Sequence, residues 1–395
     1  MSSIPRVALF ADTFYETNGA ANFLRRLVDF AKDKEYPFLC VRSGEETRLH
    51  NDGSVSFVDL KRSRVSIPID GPLKFDPLLW RYRNLVHKTL ADFSPDIIHI
   101  TGLNDISQLG AALAHFQHIP AVASWHTNAH EYAARRLSSV IPWIQPNTRQ
   151  KIIKFVERAG MYGLMRLYFL AQMQLAPNEE LVAEIQRLTG RPSFLLGRGV
   201  DTVFFSPVKR RRCDDSFVIG FVGRLRPEKN IRFFGKLDAA LQKAGINNHR
   251  FLIAGEGGER SWLLENLPNA DLPGVVHGEE LARAYANMDL FVFPSQTDAF
   301  GNVVLEAMAS GVPAVVMTEG GPKFLIEHGR NGFIADGDDE FIETVVRIAK
   351  NPHHQLPAMK QAARSFAEAN SWPSIFEKIY KYYEMGKSFR KEIRA

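Results

Sequence analysis

A short apolar run, a polar loop carrying glycine and an amphipathic stretch follow one another at the front of this chain, and the same series starts again past its middle. Val7 to Ala11 is the first run, with Asn18-Gly19 in the loop and Asn22 to Lys32 as the amphipathic stretch. Phe217–Val222 is the second, followed by Gly223 to Asn230 and the helical pattern Ile231–Lys243. Apolar runs without alternation belong to strands buried on both faces, as in parallel sheets covered by crossover helices. Phe38–Val41, Ile97–Ile100 and Ala121–Trp125 continue the pattern in the first half, and Phe251–Ala254, Leu290–Phe293 and Ala314–Met317 in the second. The prediction is an α/β protein of two doubly wound, Rossmann-like domains. A chain of 395 residues with 45% hydrophobic side chains can build two cores of that kind.

The pattern divides the chain into residues 1–198, a linker at 199–215, a second domain at 216–372 and a C-terminal helix at 373–395. Pro207 and the basic run Lys209–Arg212 interrupt the periodicity at the linker. The last stretch is aromatic and basic, with Phe376, Tyr380, Tyr382 and Tyr383, and is expected to cross back to the first domain. Only Cys40 and Cys213 occur, far apart, so neither a disulfide framework nor a zinc site is expected. The first residues lack a signal-peptide layout, and no run of about 18 apolar residues is present. The net charge of +5 suits an anionic substrate or surface without implying nucleic acid.

The sharpest segment runs from Pro294 to Pro313. A strand ends at Pro294, a loop follows, and a helix is expected from Asn302 to a terminal glycine, Gly311. The first turn of a helix has unpaired N–H groups, and Gly301 leaves room for close approach, which together suit a phosphate or a sugar oxygen. Glu306 lies one turn after Asn302 on the same face, where a carboxylate can accept from both hydroxyls of a ribose. Asp298, ahead of the helix, can hold hydroxyls of a transferred sugar. This stretch resembles the acidic-x7-Glu motif of the retaining glycosyltransferases of family 4, the glycosyl transferases of group 1. The resemblance covers most of the chain and is strongest over about 198 to 340. One departure is Asp298, where Glu is commoner; its shorter reach bears on sugar preference.

The resemblance implies the GT-B fold, in which two such domains face a central cleft. It also implies site residues. Arg224 and Lys229, in Gly223-Arg224 and Glu228-Lys229, match the Arg and Lys that neutralise the donor diphosphate. Asp298, Phe300, Gly301, Asn302, Val303 and Glu306 form the donor motif. Gly19 matches a first-strand glycine loop, with one glycine where the family has a pair. His126 stands at a strand end in Ser124-Trp125-His126, matching a histidine that contacts the donor sugar. Arg198, in Gly197-Arg198-Gly199-Val200-Asp201, matches the interdomain segment on the donor side. Gly278, after His277, falls where relatives hold the base through backbone groups. Asn128, His130, Glu131 and Arg135 are candidate acceptor contacts.

The implied activity is retaining transfer of a hexose from a GDP- or UDP-sugar, the wording around Asp298 resembling mannosyltransferases. No cofactor or metal is expected, and no nucleic acid. Lys151, Lys154 and Arg158 share one helical face opposite Ile152, Phe155 and Val156. Such a helix either lies on an anionic membrane or packs on the first sheet with a solvated basic side. The membrane case points to a lipid or lipid-linked saccharide acceptor, in glycolipid or surface-polysaccharide synthesis, with the protein cytoplasmic and peripheral on the inner face of the membrane. Alternatives are a GT-B-like nucleotide-sugar epimerase and a nucleotide-sugar-binding scaffold that has lost catalysis.

Overall fold

The computed structural model describes residues 4–16, 19–70, 73–102, 104–126, 168–298 and 300–389. The chain forms two compact units, one of Met1–Gly197 with Ile375–Ala395, the other of Arg198–Ser374.

In the first unit, β1 (Val7–Ala11), β2 (Phe38–Gly44), β3 (Arg48–Asp52), β4 (Val55–Lys61), β7 (Ile97–Ile100), β8 (Ala121–Ser124), β9 (Met173–Ala176) and β10 (Ser193–Leu195) make one eight-stranded sheet. Its order is β10-β9-β8-β7-β1-β2-β4-β3, parallel throughout except for the edge strand β3, which runs antiparallel to β4. Strands β5 (Ile67–Asp70) and β6 (Leu73–Phe75) form a separate antiparallel hairpin. Every residue of β1, β7, β8 and β9 is buried, which is why their sequences are mostly apolar, with His99, Ser124 and Gln174 the hydrogen-bonded exceptions.

Helix α1 (Gly19–Asp33), α2 (Arg83–Phe93), α3 (Asp105–Phe116) and α4 (Glu179–Thr189) belong to this unit. The start of α3 is capped from a distance. Asn104 makes no side-chain cap; instead the carboxylate of Asp12, just past β1, accepts from the N–H groups of Asn104 and Ser107, both at 2.9 Å. A carboxylate there satisfies orphan donors and suits the positive end of the helix. Burial nonetheless pushes its pKa up to about 6. The C-terminal helix, Trp372–Ser388, buries Phe376, Ile379 and Tyr383. Phe376 meets Phe23 and Phe30 of α1 with ring centroids 5.5 and 5.4 Å apart.

In the second unit, β11 (Phe217–Val222), β12 (His249–Ala254), β13 (Asp271–Gly274), β14 (Leu290–Phe293), β15 (Ala314–Met317) and β16 (Gly332–Ala335) form a wholly parallel sheet in the order β13-β12-β11-β14-β15-β16. The order reverses direction between β11 and β14. Ligands of open α/β sheets bind at such a switch point, outside the carboxyl ends of the strands. Phe221, Phe291 and Phe293 stack within this core, and Phe233 and Phe234 close it from α5 (Phe233–Lys243).

The remaining helices are α6 (Arg260–Asn266), α7 (Gly278–Ala286), α8 (Asn302–Ala309), α9 (Gly337–Lys350) and α10 (Pro352–Ala369). The expected helix from Ile231 starts two residues later, at Phe233. A 3₁₀ turn at Pro227–Lys229 precedes it, and Asn230, at φ +54°, breaks the path between them. The basic run is pinned to this unit: Lys209 pairs with Glu279 at 2.7 Å, and Arg210, Arg212 and Lys360 converge on Asp289.

Candidate functional site

The loop after β11 owes its position to the loop after β12. The N–H of Gly223 donates to Ala254 at 3.0 Å, and that of Leu225 to Glu256 at 2.9 Å. Gly255, at φ +145°, lies so close that a β-carbon there would stand 1.9 Å from the Gly223 carbonyl oxygen. Only glycine admits that approach. The outcome is a fixed Gly223–Arg226 segment with the Arg224 side chain exposed. Its guanidinium has no hydrogen bond or ion pair among the described residues.

Lys229 turns inward. It is buried, and its Nζ donates to both carboxylate oxygens of Asp298 at 2.6 and 2.5 Å, 5.6 Å from the centre of the Phe293 ring. Asp298 follows β14, and its backbone carbonyl accepts from Gly321 at 2.7 Å. That bond ties the donor-motif loop to the turn after β15.

Helix α8 begins as expected, at Asn302, and Gly311 follows its end in the left-handed region at φ +73°. Its N-cap, Gly301, sits at φ +87° and offers no side-chain cap. The first intrahelical bonds run from Val304 and Leu305 to Gly301. The N–H groups of Asn302 and Val303 are therefore left unpaired among the described residues, as the geometry of a helix start requires.

Glu306 lies one turn on. Tyr285 of α7 donates to its Oε2 at 2.8 Å. Although the residue is partly exposed, its carboxyl group sits deep enough that burial raises its pKa to about 7, against the smaller opposing effect of the Tyr285 bond. Arg198 lies over the Phe300 ring at 5.8 Å. Burial lowers its pKa from the ordinary value, and no carboxylate among the described residues neutralises it. A desolvated guanidinium without a counter-ion is a ready receptor for an anion. Gly278 opens α7 at φ +53° with open space around its α-carbon.

The second unit thus brings together Lys229 with Asp298 and Arg198 with Phe300, and sets Gly301 at the head of the helix that bears Glu306. Gly19 and His126 belong to the first unit. Gly19 starts α1. His126 follows β8, with Nε2 at 2.7 Å from Ser124 Oγ and its ring 5.0 Å from that of Phe23. Asn128, His130, Glu131 and Arg135, and the basic face of Lys151, Lys154 and Arg158, lie outside the described residues. Tyr285 is a site residue that sequence reasoning missed, because on α7 it reads as one more member of the buried face. A cavity of 230 Å³ lined by Asp238, His249 and Leu267 lies in the same unit at the opposite strand ends, and shares no residue with this constellation. Among the described residues no three His, Cys, Asp or Glu side chains gather as around a metal ion, and no helix is long and apolar enough to cross a membrane.

Known proteins match the chain along most of its length. Residues 216–351 match the family Glycosyl transferases group 1, and residues 17–204 match Glycosyltransferase Family 4. The chain is similar to the GDP-mannose-dependent alpha-mannosyltransferase of Corynebacterium glutamicum, at 29% identity over 96% of this chain and 88% of the relative. It is also similar to the alpha-monoglucosyldiacylglycerol synthase of Acholeplasma laidlawii, at 23% identity over 65% of this chain and 67% of the relative. Among solved structures it resembles sucrose-phosphate synthase from Thermosynechococcus elongatus, with a TM-score of 0.64 at 17% identity over 96% of this chain and 98% of that one. Two α/β sheets of parallel strands with one antiparallel edge strand, the Lys229–Asp298 pair and the head of α8 at the switch point of the second, and these matches lead to one assignment: the chain belongs to glycosyltransferase family 4, has the GT-B fold, and transfers a sugar from a nucleotide-activated donor.

Proposed function

We propose that this protein is a metal-independent, retaining hexosyltransferase that moves mannose from GDP-mannose, or a related hexose from a GDP- or UDP-sugar, to a lipid or lipid-linked saccharide. The observation that carries the reading is the charge at the switch-point end of the second unit. Arg198 and Arg224 have no counter-ion among the described residues, and an incoming diphosphate supplies one. Arg224 and Lys229 are assigned to that diphosphate and Asp298 to hydroxyls of the sugar. Glu306 takes the ribose, the N–H groups of Asn302 and Val303 take phosphate or sugar oxygens, and Gly278 leaves room at the base. Gly19 and His126 contribute from the first unit, His126 at the donor sugar.

In this mechanism the acceptor hydroxyl oxygen bonds to the anomeric carbon on the face from which the diphosphate departs. The bond to the diphosphate oxygen breaks, and the hydroxyl proton passes to a phosphate oxygen. Negative charge grows on the leaving group, and fixed cations that need no reorganisation stabilise it. The mannose preference rests on the mannosyltransferase relative. The lipid acceptor rests on the diacylglycerol named in the synthase relative and on the basic stretch 135–174, which suits an anionic membrane surface.

The test is transfer from GDP-mannose, UDP-glucose and their congeners to a bacterial lipid extract, with and without a metal chelator, and proton NMR of the product. An α-linked product from an α-linked donor in the presence of chelator is expected. A β-linked product, activity only with added metal, or conversion of the nucleotide sugar without an acceptor would overturn the respective part of the reading. Sedimentation with anionic liposomes at low salt should carry the protein down; its remaining in solution would remove the membrane component.

A further inference from the structure

Seventeen large apolar side chains are exposed among the described residues, and five of them, Val65, Ile67, Ile69, Leu78 and Trp80, fall between positions 65 and 80. No stretch of that length elsewhere carries more than two. The five are 39 to 58% exposed, and they belong to the approach to β5, to β5 itself and to the turn after β6. A single exposed isoleucine needs no explanation, but a cluster marks a surface that something covers.

We propose that the β5–β6 hairpin, with the turn that follows it, is an insertion element that docks the first unit on a bilayer containing anionic lipid. The hairpin pairs with no strand of the main sheet. Ile67 stands opposite Phe75, and Pro68 opposite Lys74. The two-residue period puts Leu73 on the face of Phe75 and leaves Lys74 on the other. Leu73 and Phe75 are themselves only partly buried, so the apolar face has no third strand to cover it.

The root of the hairpin is rigid. The buried Asp76 carboxylate accepts from the Ser63 N–H and hydroxyl, both at 2.6 Å, and pairs with Arg81 at 2.9 Å. Its own N–H donates to Asp105 at 2.8 Å, which pairs with Arg62 at 2.9 Å. The Asn104 amide donates to the Lys74 carbonyl at 2.9 Å. A stem held this way presents its apolar side chains without first having to be ordered, which lowers the entropic cost of docking.

Charge selects the occupant. Residues 61–83 hold six Lys or Arg and two Asp, and the pairs at the root use Arg62 and Arg81. Lys61, Arg64, Lys74 and Arg83 are exposed and have no ion pair among the described residues. Cations spaced between apolar side chains fit a boundary where phosphates and hydrocarbon lie within about 5–10 Å of each other. Lys and Arg reach up to the phosphates while Ile67 and Ile69 enter the acyl region, and a tryptophan such as Trp80 suits the level between. The proposal rests on the membrane part of the function proposed above, but on other residues than the stretch 135–174.

The test is sedimentation of the full chain with vesicles of phosphatidylcholine alone and of phosphatidylcholine mixed with phosphatidylglycerol. The wild type should bind the mixed vesicles, more weakly as salt is added, and not the neutral ones. Ile67→Ser with Trp80→Ser should weaken binding about tenfold or more, and so should Arg64→Gln with Lys74→Gln. Neither pair should move the melting temperature, since all four side chains are exposed. Wild-type binding by both double variants would overturn the hairpin's role. If Lys151→Gln with Lys154→Gln and Arg158→Gln then abolished binding, the membrane part of the proposed function would stand without the hairpin. No binding by the wild type would remove both. A lowered melting temperature in the apolar variant, or a changed mass in lipid-free sedimentation velocity, would place the face against the protein itself or a second copy and overturn the proposal.

Discussion

Lys229 Nζ reaches both carboxylate oxygens of Asp298, at 2.6 and 2.5 Å, although 69 positions separate the two in sequence. In the proposed roles, a diphosphate and a sugar hydroxyl would meet a pair that is already joined. Lys229 is the more enclosed partner, with side-chain exposure of 10% against 24% for Asp298. Asp298→Asn should accordingly destabilise the protein more than Lys229→Met, because a stranded ammonium is desolvated while a stranded carboxylate can rehydrate. The expected gap is about 1–2 kcal/mol in denaturant unfolding, with coupling between the two substitutions of about 1–3 kcal/mol. Both should lower turnover by about 10²-fold or more. Equal stability losses and a zero coupling would show the pair to be solvated and idle.

Glu306 makes folding stability depend on pH. Its pKa rises from 4.5 to about 7 in the folded protein, so the folded state holds the proton more tightly than the unfolded chain. The contribution is fully present below pH 4.5 and is lost as pH rises through about 7. Glu306→Gln should remove that dependence and gain stability relative to wild type at pH 8. Tyr285→Phe takes away a bond to the carboxylate and should widen the window upward. Thermal melts across pH 4–8 check both, and parallel wild-type and Glu306→Gln curves would refute the assignment.

The same carboxyl should report on the donor. A carboxylate that accepts from ribose hydroxyls must be ionised, so nucleotide binding near pH 6.5 should release protons. Titration calorimetry in buffers of different ionisation enthalpy measures the release, and Glu306→Gln should abolish it. Binding with no proton release in the wild type would place the ribose elsewhere.

Gly301→Ala should be costly out of proportion to its single methyl group. The residue sits at φ +87°, and a β-carbon would approach Pro322 Cγ to 2.8 Å. Strain and clash together should cost about 1–3 kcal/mol and move the start of α8. The donor KM should rise with it. A melting temperature within a degree of wild type would mean that the turn after β15 gives way freely.

Arg198→Met removes a desolvated cation that nothing among the described residues balances. Stability should hold or rise, while affinity for nucleoside diphosphates falls about tenfold or more. Nucleoside monophosphate binding should change less. An equal loss for both, or a fall in stability, would assign Arg198 to the architecture of the unit rather than to the diphosphate.

Strands β1, β7, β11, β14 and β15 appear at the residues the apolar runs mark. A segment buried on both faces must be apolar at nearly every position, a polar exception such as His99 of β7 having to find buried hydrogen-bond partners, and that demand is written locally. Edge strands carry no such demand. Strand β3, Arg48–Asp52, is mostly exposed and polar and could not be read. The start of α5 was displaced because a 3₁₀ turn and a left-handed Asn230 leave the apolar periodicity intact while changing the backbone path.

What the sequence by itself determined is the class of fold, the strand-end loops and the helix start at Asn302, since each follows from burial, turn chemistry or helix geometry within a short window. The pairings were decided by the tertiary structure: Lys229 with Asp298, Tyr285 with Glu306 across 21 positions, and Tyr383 with His99 across 284. A side chain's residue type states which bonds it can make. Which partner it meets depends on the order in which strands lie side by side, and so does the burial that lifts Glu306.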